Sequence, residues 1–427
     1  MEDSGRWEVD VPEGSRMGTA RVVITGLGAV STLGLEPDKI EQTLRQGKSC
    51  ITYRPDFEAH GFNSLVAGWI SDWDASEFFD RKALKLMWRG AEFTTYAAKK
   101  ALEDSGLPAA DVQSDRCGVI VGCGGGSAMD VFEAAAAMQE HNRTRSIGIR
   151  LPRTMISSQS ANMTMLLKNG GVSLGISDAC ATGLVNIGYA YQVVKWGIQD
   201  VVFAGGGESC DWPGSAFFDA MHLLSANFND NPSAASRPFD RDRSGFVVAE
   251  GGGVVVVEEL HHALSRGARI YGEIVGYATN SDGGFSIVAP VSERQALCMR
   301  RALQDACVEA KDIDYINAHG TSTVLGDPSE IAAIKQVFPD HAPMVTSTKS
   351  QIGHAIGGAG AIELIASLLM MKGSFIAPSI NIDHLGEDCQ YPDIVTSCRE
   401  IEFDTFLTNN FAFGGSNASM IIRKYRQ

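Results

Sequence analysis

Membrane-length apolar runs, paired cysteines and a surplus of basic charge are all missing from this 427-residue chain. No apolar run reads as long enough to cross a bilayer, which argues against membrane insertion. Nine cysteines, an odd number without a Cys-x-x-Cys pair, read as free thiols of a reducing compartment and place the protein in the cytoplasm. A formal charge of −15 excludes a general nucleic-acid binder. The opening 1–17 is polar, with Glu2, Asp3, Glu8, Asp10 and Glu13. It has neither the cationic start nor the apolar centre of a signal peptide. It reads as a mobile arm, and Met17 is a second candidate start. Proline is sparse, at 14 residues against 46 glycines. That balance suits an α/β protein with many tight strand-to-helix turns.

What is present reads as two related halves. Arg21–Gly26 is a short apolar run closed by glycine, a buried strand. Ala97–Leu107 has the pattern of an amphipathic helix, followed by the strand Cys117–Gly122 and the turn Gly124-Gly125-Gly126. The order recurs as helix Met299–Val308, strand Ile313–Ala318 and turn His319-Gly320-Thr321. Two amphipathic helices alone could match by chance, but the matched helix-strand-loop order points to duplication of an α/β unit. The boundary falls near Arg266-Gly267, before a strand over Arg269–Tyr277, giving halves 18–266 and 267–427.

The chemistry centres on Cys180. The run Val172–Ile176 leads into Ser177-Asp178-Ala179-Cys180-Ala181-Thr182-Gly183, after which Leu184, Ile187, Tyr191 and Val194 recur at helical spacing. Cys180 thus stands at a strand-to-helix turn, where the helix dipole favours the thiolate, and small neighbours leave room for a substrate. A lone cysteine is more often an inert buried residue, so its companions decide. His319 follows one strand and opens His319-Gly320-Thr321-Ser322-Thr323. Val345–Thr348 reads as a strand ending at Lys349, with Gly353-His354 just beyond. A single histidine is usually a surface or hydrogen-bonded core residue, but two, each after a buried strand and each beside glycine, are less easily explained that way. Histidines can donate hydrogen bonds to a thioester oxygen as charge develops on it. A metal site is the weaker alternative, because no further ligand lies at suitable spacing.

Phe406–Asn410 and Ala418–Arg423 read as a paired hairpin around Phe411-Ala412-Phe413-Gly414-Gly415-Ser416-Asn417. A turn explains the glycines. It does not explain two phenylalanines, unless the loop offers an N–H to an oxyanion while Phe413 covers the cysteine. Gly124-Gly125-Gly126 has the wrong spacing for a dinucleotide fingerprint.

Together these motifs resemble the condensing enzymes, the β-ketoacyl-acyl-carrier-protein synthases, from about Arg21 to Arg423. Phe203–Glu208, Gly245–Leu260 and Gly125 are most similar to the bacterial type I branch. The resemblance implies an α/β thiolase-like fold of two similar halves in five layers, αβαβα. It implies an acyltransferase that joins an acyl group on Cys180 to a decarboxylating malonyl thioester in fatty acid elongation. By the same resemblance His319 and His354 assist decarboxylation and condensation, and Lys349 orders the site with Glu363. Thr321 and Thr323 hold the phosphopantetheine arm, and Gly125 opens the acyl pocket. The backbone N–H groups of Cys180 and Phe413 form the oxyanion hole. No cofactor is implied, since the substrates ride on acyl carrier protein. A homodimer is implied, with its interface beside the acyl pocket.

Two departures, Asp178 and Ala412 in place of the usual hydroxyl residue and glycine, keep a second pathway open. That alternative is a ketosynthase of type II polyketide or aryl-polyene synthesis, paired with a chain-length factor. Asp178 would oppose a thiolate if it faced Cys180, and Ala412 would stiffen the loop. A thiolase would use a second cysteine as base, and a chain-length factor would lack Cys180. Docking of an acidic carrier onto an acidic enzyme needs a local basic surface. Lys82, Lys85 and Arg89 fall at helical spacing beside Arg81, with Arg143, Arg145 and Arg150 as an extension.

Overall fold

The computed structural model describes residues 19–141, 144–284 and 286–426. The arm 1–17 and Arg143 lie outside the described residues. The strands are short, rich in valine and isoleucine, and mostly buried on both faces, as sheets covered by helices on each side require. In chain order they are β1 (Val22–Val30), β2 (Cys117–Gly122), β3 (Ser173–Leu174), β4 (Val201–Glu208), β5 (Gly251–Glu259), β6 (Gly272–Ser281), β7 (Tyr315–Asn317), β8 (Met344–Thr346), β9 (Thr405–Ala412) and β10 (Ser416–Arg423).

These strands form one hydrogen-bonded sheet of ten, in the order β8-β7-β9-β10-β6-β1-β5-β4-β2-β3. Numbered within its own half, each set of five runs 3-2-4-5-1 from the outer edge. The pairing senses repeat as well. β2 runs parallel to β3 and β4, and β4, β5 and β1 then alternate antiparallel. β7 runs parallel to β8 and β9, and β9, β10 and β6 alternate antiparallel. The two sets meet through a short antiparallel pairing, Val22↔Ile274 to Ile24↔Gly272.

Six helices set the layers: α1 (Arg89–Ser105), α2 (Ser158–Leu167), α3 (Thr182–Lys195), α4 (Ser292–Ala306), α5 (Gly326–Val337) and α6 (Ala359–Gly373). α1 and α2 cover the outside of the first half-sheet, and α4 with α5 the outside of the second. α3 and α6 lie between the half-sheets and touch both. The layers are therefore αβαβα, as a thiolase-like fold requires. The alternation of side chains along a strand feeds two cores from one sheet. On β5, Val254 and Val256 enter the outer core with Ala97 and Phe203, while Val255 and Val257 enter the middle core with Leu184 and Leu364.

One apolar stretch does reach membrane length by composition, Ile356–Gly373, contrary to the expectation from sequence. Its window is 89 % buried inside the protein. It is the middle-layer helix, covered by sheet on both sides, so its apolar surface is already satisfied.

Candidate active site

The loops that leave the strands of the first and second halves meet at one cavity of about 240 Å³. Cys180, His319, His354, Thr321, Thr323, Phe411 and Phe413 all line it. Cys180 and Lys349 follow β3 and β8, which hold equivalent places in the two halves. The site is thus built by superposing corresponding loops of a repeated unit.

Cys180 sits in a single helical turn, Ala179–Ala181, that runs into α3. Ala179 before it has φ +44°, a left-handed conformation that costs a non-glycine residue energy and that packing must hold. Ser322 and Ile356, in the loops carrying the threonines and His354, also have positive φ, 71° and 44°. Cys180 belongs to an apolar cluster that includes Phe246, Val248 and Ile356, with Ala412 and Phe413 packed against it. This burial pushes the Cys180 thiol up to about 12. The Lys349 ammonium and the backbone N–H groups of Phe413 and of Cys180 itself pull the other way. Burial thus opposes the thiolate that the helix N-terminus favours. Asp178 donates its backbone N–H to Thr182 Oγ1 at 2.8 Å, and its charge is felt at Tyr277.

His319 and His354 meet edge to face with ring centroids 5.3 Å apart. Both are pushed well below the usual histidine range, by burial first and by the Lys349 charge second. They are neutral imidazoles at neutral pH. Both ring nitrogens of His354 are buried without a hydrogen-bond partner. The backbone of His354 is fixed, donating to Val247 O at 2.7 Å. The backbone N–H groups of His319 and Gly320 donate to the two oxygens of Glu330, at 2.9 and 2.8 Å.

Lys349 does not end a strand. β8 stops at Thr346, and Lys349 opens the short helix Lys349–Ile352. Its ammonium is ion-paired with Glu363 on α6, both side chains buried. The second Glu363 oxygen accepts from Asn410 Nδ2 at 2.9 Å. The hairpin strands are longer than the sequence pattern suggested, pairing as far as Ala412↔Ser416. Only Phe413, Gly414 and Gly415 remain for the turn. Gly414 and Gly415 have φ of 88° and 78°, which glycine adopts without penalty. Gly414 N–H donates to Ile287 O at 2.9 Å, tying this turn to a second loop at the cavity mouth. Thr321 Oγ1 and Thr323 Oγ1 lie 3.0 Å apart on the same wall.

Gly125 is not among the residues lining the cavity with Cys180. It faces open space, with nothing within 4 Å of where a Cβ would stand. Of the basic residues, Arg81, Lys82 and Lys85 are exposed, but Arg89 is not on their face. The helix there ends after Arg81–Leu84, and the extended Trp88 restarts the chain into α1. Arg89 instead bonds Glu250 and Ile70 O. Arg150 is paired with Asp130 and Glu133. Arg145 is exposed.

Sequence reasoning missed Asn410, Glu330 and Glu208. Glu208, at the end of β4, accepts from Gly124 N–H at 2.6 Å, and burial raises its carboxyl to about 8. The Gly-Gly-Gly-Glu run ending β4 was noticed only as a family likeness. Glu330 carried no local signal, because it lies inside an ordinary helix.

The sequence pattern of the β-ketoacyl synthase N-terminal domain matches residues 19–263, and that of the C-terminal domain matches 271–383. The chain is 45% identical over 407 residues to the 3-oxoacyl-acyl-carrier-protein synthase 1 of Haemophilus influenzae, covering 95% of this chain and 99% of that protein. It superposes on the crystal structure of a β-ketoacyl synthase from Burkholderia phymatum with a TM-score of 0.90 at 35% identity, over 95% of this chain and all of the other. A type II polyketide acyl-carrier protein in complex with its ketosynthase bound to a hexaketide gives a TM-score of 0.86 at 28% identity, over 95% of this chain and all of that one. Full-length similarity at this level, over a cavity lined by a cysteine and two histidines that feel the charge of a buried lysine, places the chain in the β-ketoacyl synthase family.

Proposed function

We propose that the chain is a 3-oxoacyl-acyl-carrier-protein synthase of fatty acid elongation, an acyltransferase with Cys180 as nucleophile. The observation that carries this is the pair of neutral imidazoles in the cavity that Cys180 also lines, with both ring nitrogens of His354 buried and unpartnered. Such nitrogens cost energy unless a ligand takes them up. A thioester carbonyl supplies the missing acceptor. In the first half-reaction Cys180 Sγ attacks the acyl thioester, and the pantetheine sulfur leaves with a proton. In the second, malonyl thioester loses carbon dioxide, and N–H groups of His319 and His354 hold the enolate oxygen. The carbanion then attacks the Cys180 thioester. The N–H groups of Cys180 and Phe413 are placed to take the resulting oxyanion, after which the sulfur departs. Thr321 and Thr323 line the way in and suit the amide groups of a phosphopantetheine arm. Lys349 with Glu363 keeps a positive charge beside the two neutral histidines.

Acyl carrier protein is the partner this chemistry needs, and the exposed Arg81, Lys82 and Lys85 are its proposed docking residues. A homodimer is supported by apolar residues left exposed on and beside the edge strand β3: Leu151, Met155, Ile156, Met165, Leu166 and Leu174. A second copy covering them would also enclose Gly125, which then faces an acyl pocket. A polyketide role is the weaker reading, since the polyketide neighbour is the more distant in sequence. Halves divided near residue 267 and a cytoplasmic location complete the proposal, the latter supported by nine free thiols.

The test is covalent. Wild-type protein given acyl-acyl-carrier-protein gains the acyl mass on the peptide carrying Cys180, and Cys180→Ser loses condensation. An acyl group on Cys123 or Cys210 instead overturns the assignment.

A further inference from the structure

We propose that Asn410 is a positioning residue that fixes the tautomer of His319 and couples it to the Lys349–Glu363 ion pair. The proposal rests on the synthase reading above. Asn410 lies near the end of β9, buried, facing the middle-layer helix α6 that carries Glu363. Its Nδ2 stands 2.9 Å from Glu363 Oε2 and 3.4 Å from His319 Nδ1.

The orientation of this amide follows from its neighbours. Turned over, its carbonyl oxygen would face the carboxylate of Glu363, acceptor against acceptor. Burial raises the Glu363 carboxyl, but the Lys349 ammonium on its other oxygen opposes this. Ion-paired with that ammonium, Glu363 accepts rather than donates. The NH₂ group must face Glu363, so the atom nearest His319 Nδ1 is a donor. Nδ1 is then the acceptor, and the imidazole proton stands on Nε2. That tautomer directs its N–H away from the ion pair, toward the cavity His319 shares with Cys180.

Two independent features show that the amide is held there at a cost. Asn410 Oδ1 is buried with no hydrogen-bond partner, so the side chain forgoes one bond to place its two donors. Gly360 on α6 supplies the room: a Cβ there would come within 2.2 Å of Asn410 Oδ1. One helix thus gives both the carboxylate that orients the amide and the gap that admits it.

The experiment reads the tautomer directly, from ¹⁵N-histidine spectra of the resting full-length protein, with His319 assigned by difference against His319→Gln. Wild type should show Nδ1 unprotonated and Nε2 protonated at pH 8. Asn410→Asp places a second carboxyl against Glu363, so the two share one proton. The Asp oxygen left toward His319 is an acceptor and should move the imidazole proton to Nδ1. Asn410→Leu should leave a mixture of tautomers. It should also slow carbon dioxide release from malonyl-acyl-carrier-protein by about tenfold to a hundredfold, the cost that losing an outer-shell partner has for metal-bound histidines. Acyl transfer to Cys180 should suffer less. Wild type with the proton on Nδ1 overturns the proposal without needing any variant to fold. So does Asn410→Leu with an unchanged tautomer and rate. If wild type fails to condense at all, the synthase reading falls, while the spectrum still decides what Asn410 does to His319.

Discussion

Lys349 and Glu363 form an ion pair in which each side chain is only 1 % exposed. Two charges removed from water this completely are held by each other, and Asn410 satisfies the remaining carboxylate oxygen. Removing one partner leaves the other buried and unpaired, which costs about 3–5 kcal/mol. We expect Glu363→Gln to lower unfolding stability by that amount in urea titrations. Lys349→Met combined with Glu363→Gln should recover a large part of it, because no bare charge remains. Condensation should stay lost in the double variant, since the charge beside the histidines is gone. A loss below about 1 kcal/mol in the single variant would show that water reaches the pair.

The resting state of the nucleophile is open to a reactivity test. Burial holds the Cys180 thiol up near 12, with Lys349 pulling it down. Below that value the thiolate fraction grows about tenfold per pH unit. Alkylation of Cys180 by iodoacetamide should therefore climb steeply from pH 7 to 9 with no plateau. Lys349→Met should react more slowly throughout, because the charge that favours the thiolate has been removed. A rate already level at pH 7 would mean a thiolate at rest, as the helix terminus alone would give.

Much of this site was legible because its parts are local. Cys180, His319 and Phe413 each stand among small residues within a few positions of a strand end, and His354 stands just past the short helix Lys349–Ile352. Text of that kind is readable over about five or six residues. The duplication was legible in its helix-strand-loop text. The 3-2-4-5-1 order was not, because strands as short as Tyr315–Asn317 and Met344–Thr346 carry no period when both faces are buried. Asn410 was invisible for a different reason: its partners lie 47 and 91 positions away. Arg89 misled because helical spacing was assumed across a break. Asp80 caps a helix that ends at Leu84, and the extended Trp88 starts another.

The two histidines should separate from the nucleophile in kinetics. His319→Ala and His354→Ala should still take an acyl group onto Cys180. Each should release carbon dioxide from malonyl-acyl-carrier-protein on the order of a hundredfold more slowly, the usual cost of one donor to a developing oxyanion. The sign of the pH effect follows from burial. Both imidazoles are pushed below the ordinary value of 6.5. They stay neutral as pH falls through that value, and wild-type decarboxylation should show no drop there. A drop centred near 6.5 would mean that the rings are hydrated and titrate as free histidine. Wild-type release from both variants would remove them from the reaction.

Docking of acyl carrier protein gives the last prediction, narrowed by the structure. The chain carries a net charge of −15, and the carrier proteins implied by the family likeness are acidic too. Net charge opposes the encounter, and a local basic surface must steer it. Arg89 is withdrawn from that surface by Glu250, and Arg150 is neutralised by Asp130 and Glu133. Arg81, Lys82 and Lys85 remain, exposed on one short helix and its last turn, with the exposed Arg145 left from the extension. Lys82→Glu with Lys85→Glu should raise KM for acyl-acyl-carrier-protein about tenfold or more. Each reversal exchanges an attraction for a repulsion at an exposed site, where one pair contributes up to about 1 kcal/mol. kcat with a small pantetheine thioester should hardly change, because that substrate reaches Cys180 without touching the helix. Raising salt should weaken wild-type turnover of the carrier-bound substrate alone. Arg89→Gln should behave differently, lowering stability through its buried partner Glu250 and leaving the salt response intact. Equal losses with both substrates in the Lys82 and Lys85 variant would mean that the fold or the cavity has been damaged, and these residues would no longer be the docking surface.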